Sequence, residues 1–592
     1  KDLTADNTKC MVKVNGVTLI ERMLHQLEVL ELKQIVSVVG YEGNKLINYI
    51  NSLGIHTPIV YIDNPIYFKT NNIYSLALAK EYLKEDDTLL LESDLIFEDS
   101  VLDFLVKDKR ETLALVDKYE SWMDGTVVKL DEEDNIQAFI GGKKIVFEDI
   151  PAYYKTVNIY KFSKHFSEHY YVPFLDAYSS ALGNNEYYEQ VLRVITMLDD
   201  PEIKAKRLEG QLWYEIDDIQ DLDIAESIFS ENEEEKLYKI QRRYGGYWRY
   251  PKILDFCYLV NPYFPPQRLI DEIKSNFDTL ITQYPSGMYV NALLAAKNFG
   301  IKQEYIVVGN GAAELIKGLL DGYQGRIGFI KPTFEEYPNR YDADKSIVFD
   351  TTQMNFQYHV DDIIDFYQDK NIDMLVLVNP DNPSGNFIKK EELLRLCQWS
   401  DQKKIRLVVD ESFVDFAEGV DNTLIHNEVL EQYRNLIVVK SISKSYGVPG
   451  IRLGVLVSAQ IDLIDELKHT VAIWNINSFA EFYMQIAEKY SDDYKKAMDE
   501  FMPVRKHFIN ALEQIEGLYV YPTQANYVMC EINNGFSAAQ ITQELLVKHN
   551  LFIKDLTSKI RDGKQYVRLA VRKKEENEML IEALKNIFTK AN

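Results

Sequence analysis

Five short runs, EYIVVGN, RIGFIKP, DMLVLVNP, IRLVVDES and NLIVVKS, constrain the second half of this chain more than any other feature. Each is apolar and rich in β-branched residues without alternation, the pattern of a strand covered on both faces. Segments of helical character separate them, and strands interleaved with helices predict parallel sheets with ligands at the carboxyl ends of the strands. The first half repeats the scheme with QIVSVVG, TPIVYID, TLLLESD and TLALVD, around the helical stretches ERMLHQLEVLE and NIYSLALAKEYL. Both halves read as α/β. At 592 residues the chain exceeds a single core. The segment SENEEEKLYKIQRRYGGYWRY, acidic and then basic, predicts the join: domains over 1–229 and 251–592, with 230–250 as a linker of some helical character.

A net charge of −26 argues against nucleic acid or an anionic membrane surface as a partner. It leaves room for small phosphorylated ligands, which local lysines and backbone N–H groups can hold. No apolar run approaches the roughly 20 residues that span a bilayer. The four cysteines (Cys10, Cys257, Cys397, Cys530) show no CxxC or zinc-type spacing, which fits a reducing cytoplasm.

The residues that end the five runs form a set. EYIVVGN leads into a helix whose N-terminus offers the N–H groups of Gly311, Ala312 and Ala313, suited to a phosphate. RIGFIKP is followed by Phe334 and Tyr337, and DMLVLV by a loop with Asn379 and Asn382. Asp410 ends the fourth run, where it is either a ligand or a helix cap. The fifth leads to Ser441, Ser443, Lys444 and, after a turn, Arg452. A lysine lodged in so apolar a turn tends to lose its proton and becomes a nucleophile, unless it is an ordinary surface lysine of a loop. One ligand accounts for the set. A pyridine ring with an aldehyde and a phosphate needs a carboxylate at its nitrogen, a lysine, an aromatic face, and hydroxyls with an arginine around the phosphate.

NPDNPSG, VVDES and SISKSYGVPGIRLG, in that order, resemble fold-type I pyridoxal-phosphate enzymes of the class I/II aminotransferase family over about 251–592. The resemblance implies that Lys444 carries the cofactor covalently, Asp410 pairs with the ring nitrogen, Asn382 bonds the ring hydroxyl and Phe334 stacks on the ring. It puts Ser441, Ser443, Arg452 and residues 311–313 around the phosphate, and Arg568 on a substrate carboxylate. Tyr284 would reach the phosphate of a neighbouring subunit, which implies a homodimer. Phe413 stands where many members have tyrosine. With the opening LDFCYLVNP, this is similar to the subgroup of histidinol-phosphate aminotransferases and threonine-phosphate decarboxylases.

In the first half, Asp94 and Asp217 each end an apolar stretch. Two carboxylates brought together repel unless a cation such as Mg²⁺ bridges them; the alternative is that both cap helices or turns. LTADNTKCMVKVNG, NNIYS, LLLESD and WYEIDDIQDL resemble nucleotidyltransferases of the sugar-phosphate and phosphocholine cytidylyltransferase type over about 1–229. That implies a Rossmann-like domain in which Asp94 and Asp217 hold the metal, Lys9 steadies the phosphates and Asn72 lies near the acceptor. Thr8 stands where the motif normally has proline, and the family's G-x-G-x-R loop is expected just before Lys1. Trp122 and Asp124 are candidates to meet an acceptor ammonium, with core packing the alternative for Trp122. The whole chain resembles phosphonate cytidylyltransferase–aminotransferase fusions, which implies CTP and 2-aminoethylphosphonate as substrates. The readings left open are a decarboxylase in the second half, phosphocholine or phosphoethanolamine as acceptor, and a first half that only binds ligand.

Overall fold

The computed structural model describes Leu3 and residues 8–589. The chain forms two compact units, Lys1–Arg249 and Tyr250–Asn592. Residues 230–249, expected as a linker, fold with the first unit. Asn232 caps the helix Glu233–Gln241, which buries Leu237 and Ile240. Arg242 and Arg243 pair with Asp223 on the preceding helix Ile219–Ile228. The amphipathic stretch has a partner to bury against, so it does not stay loose.

The second unit is built on a seven-stranded sheet in the spatial order Ile306–Asn310, Leu453–Val457, Leu436–Ser441, Arg406–Asp410, Met374–Val378, Ile327–Lys331, Ser346–Asp350. Every pairing is parallel except those of Leu453–Val457, which runs against both neighbours. Met374–Val378 and Leu436–Ser441 are buried at every position, as their unbroken apolar runs require. A smaller antiparallel sheet, Leu518–Val520, Tyr527–Ile532, Tyr566–Ala570 and Lys554–Asp555, carries the C-terminal part of the unit.

The first unit departs from the expected parallel scheme. Its main sheet is mixed: Tyr153–Phe162 pairs antiparallel with Thr88–Leu91, Leu113–Lys118 and Val127–Leu130. Among the described residues of this unit, the parallel pairs are Ile35–Val39 with Ile59–Asp63 and Lys204–Arg207 with Leu113–Lys118. A crossover helix, Gly43–Ser52, joins the first of these pairs, whereas Val127–Leu130 and Ile136–Ile140 are joined by a short turn that only an antiparallel pair permits. Tyr153–Phe162 carries a bulge between Thr156 and Tyr160, with Asn158 at φ +63°. Such a bulge re-aims side chains. Among the described residues no helix is long and apolar enough to cross a membrane.

A glycine pair sets how closely the helix Ala312–Leu320 approaches the large sheet. Gly309 faces Gly454 across the strands; a Cβ on Gly454 would strike the backbone of Ala312, and one on Gly309 the side chain of Leu315. Gly454→Ala is expected to destabilise the second unit by about 1–3 kcal/mol. Gly287→Ala, at an open position with negative φ, should be near neutral. Urea unfolding of the two variants beside the parent checks both.

Candidate functional site

In the second unit the strand ends deliver the predicted residues to one place. Asp410 is buried at the end of its strand; its carboxylate accepts from the hydroxyl of Tyr337 at 2.7 Å and from the N–H of Ser412 at 2.9 Å. Lys444 follows three residues after the end of Leu436–Ser441, and the N–H and side-chain amide of Asn261 hold its turn through the carbonyls of Lys444 (2.8 Å) and Ser445 (2.9 Å). The amine of Lys444 has no hydrogen-bond or ion-pair partner among the described residues. Burial, reinforced by the positive charges of Arg568 and Arg452 and opposed by Asp410, pulls it down to about 8.

Gly311 caps the helix Ala312–Leu320 at φ +74°, and a Cβ there would run into the guanidinium of Arg452. The Gly311 N–H donates to the carbonyl of Arg452 at 3.0 Å, so the helix N-terminus with Ala312 and Ala313 is seated beside that arginine. Ser441 donates its N–H to the Ser412 hydroxyl at 2.9 Å. The hydroxyl of Ser443, 2% exposed, has no partner. Asn382 and Arg568 meet directly: the guanidinium donates to Asn382 Oδ1 at 2.7 Å and to the Cys257 carbonyl at 3.0 Å. Phe334 is partly exposed and lies edge-on to Tyr337. Phe413 packs edge-on against Tyr527 at 5.0 Å. Tyr284 is on the surface, 79% exposed and stacked on Trp474 at 4.5 Å. Asn379 serves the fold, bonding both the N–H and the C=O of Ile388.

Two features of this site had no separate signal in the motifs. Tyr337 was placed near the crevice, but its bond to Asp410 depends on the turn after Lys331. Asp415 accepts from Lys440 Nζ, the Ser445 hydroxyl and the Tyr494 hydroxyl, each at 2.8 Å, and so braces the residue next to Lys444 from behind.

In the first unit, the ribbon Leu95–Phe97 with Trp213–Glu215 brings the two predicted aspartates together, and the Ile216 N–H extends it to the carbonyl of Asp94 at 3.0 Å. Lys9 Nζ sits between them, 2.6 Å from Asp94 and 2.6 Å from Asp217. Burial works against its charge, but the two carboxylates overcome that and hold it protonated. One oxygen of Asp94 is buried without a partner. Lys9 also lines an open cavity of about 530 Å³ with Thr8, Gly40, Asn64, Tyr67 and Ser93.

Behind the aspartates lie carboxylates the motifs had not singled out. Oxygens of Glu92, Asp94 and Glu215 are all within 4.8 Å of one another. Burial, with the charges of Glu189, Asp94 and Glu215, pushes Glu92 upward from the usual carboxylate range, and burial with Glu215, opposed by Lys155, pushes nearby Glu189 the same way. Lys155, 1% exposed, reaches Glu215 at 3.3 Å, and Asn158 donates to the same carboxylate at 3.3 Å from its bulge. The spacing was a usable signal: in LESD and YEID the glutamate stands two residues before the aspartate, which on extended chain puts both on one face. Asn72 accepts from the Tyr188 N–H at 3.0 Å, beside Glu189. Trp122 gives one face to Tyr214, stacked at 4.0 Å, and its indole N–H to Glu120, while Asp124 is exposed and bonds the Gly125 N–H. That geometry favours packing as the role of Trp122.

The fold of the second unit, with a buried strand-end carboxylate facing a desolvated lysine beside a helix N-terminus, is that of a pyridoxal-phosphate-dependent, aminotransferase-like enzyme. The chain belongs to the aminotransferase class I and II family, whose model matches residues 252–584. It is 29% identical over 98% of its length to the CMP-5'-(3-aminopropyl)phosphonate synthase of Streptomyces rubellomurinus, covering 91% of that protein. It is 32% identical to the L-serine phosphate decarboxylase of Sulfurospirillum multivorans, over 57% of this chain and 88% of that one. Among solved structures, a decarboxylase from Sulfurospirillum multivorans covers 58% of this chain and 91% of its own, at 29% identity and a TM-score of 0.53. The histidinol-phosphate aminotransferase of Clostridium acetobutylicum covers 57% of this chain and 100% of its own, at 25% identity and a TM-score of 0.51.

The residues fit the cofactor. The orphaned Ser443 hydroxyl, the desolvated Lys444 amine, the buried Asp410 and a helix start whose positive φ at Gly311 favours glycine are what its phosphate, aldehyde and ring nitrogen require. Only the neutral amine is nucleophilic. Covalent uptake of pyridoxal phosphate, trapped with borohydride and read by peptide mass at Lys444, should therefore rise with pH through about 8, far below the ordinary lysine value of about 10.4. Lys444→Ala should take up none.

Proposed function

We propose that the chain is a bifunctional enzyme of phosphonate tailoring. The first unit joins CMP from CTP to 2-aminoethylphosphonate, and the second makes that amine from phosphonoacetaldehyde by transamination. What supports this most is similarity along nearly the whole chain, across both units, to a protein named as a CMP-aminopropylphosphonate synthase. In the first reaction a phosphonate oxygen attacks the α-phosphorus of CTP, and the bond to pyrophosphate breaks. Such catalysis rests on alignment and charge neutralisation. Asp94 and Asp217 would hold Mg²⁺, a hard cation matched to their oxygens, which would neutralise charge on the transferred group. Their convergence on one cationic centre at 2.6 Å each, and the orphaned oxygen of Asp94, suit that ion. The cavity beside Lys9 offers space for a nucleotide.

In the second unit Arg568 would take a substrate carboxylate and Asn382 the ring hydroxyl, with Tyr337 keeping Asp410 aimed at the ring nitrogen. Exposed Tyr284 and its stacking partner Trp474, with exposed Ile473 and Ile281, are in keeping with a homodimer in which Tyr284 serves the neighbouring site.

A second reading keeps both folds but has the second unit decarboxylate phosphonoalanine to the same amine. Its similarity to L-serine phosphate decarboxylases favours this, and a carboxylate-binding Arg568 would then serve the substrate itself. With CTP, Mg²⁺ and 2-aminoethylphosphonate the full chain should release pyrophosphate, and Asp217→Ala should reduce the rate at least about 100-fold. Phosphonoacetaldehyde with an amino donor should yield the amine under the first reading. Release of CO₂ from phosphonoalanine would select the second.

A further inference from the structure

The acceptor assigned above has an ammonium at one end, and the first unit contains a buried place that matches it. Glu189 is 5% exposed, yet one of its carboxylate oxygens has no hydrogen-bond partner. The hydroxyl of Tyr160, on a fully buried side chain, has none either. Strand pairing sets Leu90 opposite Tyr160 and the Glu92 N–H on the Asn158 carbonyl, and Glu189 directly follows Tyr188, so the three groups lie in one buried cluster in which both carboxylates act on the Tyr160 hydroxyl. Tyr188 packs edge-on to Tyr160 at 5.8 Å and is fixed through its N–H by Asn72.

We propose that Glu189 and Glu92, with the Tyr160 hydroxyl, receive the primary ammonium of the acceptor; this rests on the cytidylyl-transfer reading. An ammonium brings three N–H donors, which buried acceptors without donors require. A buried ammonium of the same kind already stands on the neighbouring carboxylate, since Lys155 Nζ lies 3.3 Å from Glu215 and 2.7 Å from the Thr156 carbonyl. The spacing also fits. Glu92 and Asp94 present oxygens within 4.8 Å of each other, and two carbons between an amine and a phosphonate span about 4 Å. The ammonium at Glu92 and Glu189 thus leaves the phosphonate near Asp94, where transfer occurs. Trp122 and Asp124, the sequence candidates for this role, are not needed.

The test compares 2-aminoethylphosphonate with ethylphosphonate, which lacks the amine, in the full-length chain with Mg²⁺. Calorimetry should show the parent binding the amino compound about tenfold or more tightly than ethylphosphonate. Glu189→Gln should lose most of that preference while binding ethylphosphonate as the parent does. Tyr160→Phe, which removes only the hydroxyl, should lose part of it and guards against misfolding of the first variant. Binding at the pyridoxal-phosphate site is common to all three proteins and cancels. Preference kept in both variants would overturn the proposal, as would loss of a bound Mn²⁺ from Glu189→Gln with the preference intact. If the parent releases no pyrophosphate with any phosphonate, cytidylyl transfer fails, and the binding comparison still decides the ammonium site.

Discussion

The second unit is organised around removing one amine from water. Lys444 sits where burial and two arginines disfavour its charge, and only Asp410 works the other way. The fold has to keep that carboxylate and that amine facing each other although neither is comfortable without a ligand. It does so through the groups around each of them rather than by a bond between the two. Parallel strands end together, Asn261 latches the lysine turn, and the Tyr337 hydroxyl and Ser412 N–H occupy the carboxylate. Asp415 secures the far side of the turn with three hydrogen bonds. Rigid support around a reactive group is what a site needs if its geometry is to be held before ligand arrives.

The first unit solves the opposite electrostatic problem. It gathers carboxylates, Glu92, Asp94, Glu189, Glu215 and Asp217, with Lys9 and Lys155 as nearby ammonium groups. Lys9 ties the two aspartates at the mouth, and Lys155 offsets Glu215 behind them. The bulge in Tyr153–Phe162 matters here, because it turns Asn158 onto Glu215 within a strand that would otherwise be regular.

How much could be read from the amino acids alone differed between the units for a physical reason. In the second, five unbroken apolar runs announce buried parallel strands, and their ends carry Asp410, Ser441 and, just beyond, Lys444, so order along the chain nearly equals position in space. The first unit lacks that equivalence. From TLALVD to Tyr153–Phe162 no α-helix comes between the strands, and the sheet they build is mixed, which alternation of element types had not implied. Glu189 lies in a helix far along the chain from Glu92, and tertiary packing rather than sequence proximity brings it beside that carboxylate. Trp122 had looked available because tryptophan and aspartate stood near each other; Tyr214, distant in sequence, takes one of its faces. Residues 230–249 looked like a join because their charges cluster, yet the apolar face of Leu237 and Ile240 decides where they go.

The single hydrogen bond between Arg568 and Asn382 has a consequence for variation at this site. One side chain comes from the loop after Met374–Val378 and the other from the small C-terminal sheet, so the bond stitches two separate sheets at the point where ligand would lie. Whatever each residue holds, neither can be exchanged without reorienting the other. Natural drift in specificity would therefore have to move the two in concert, or go around them.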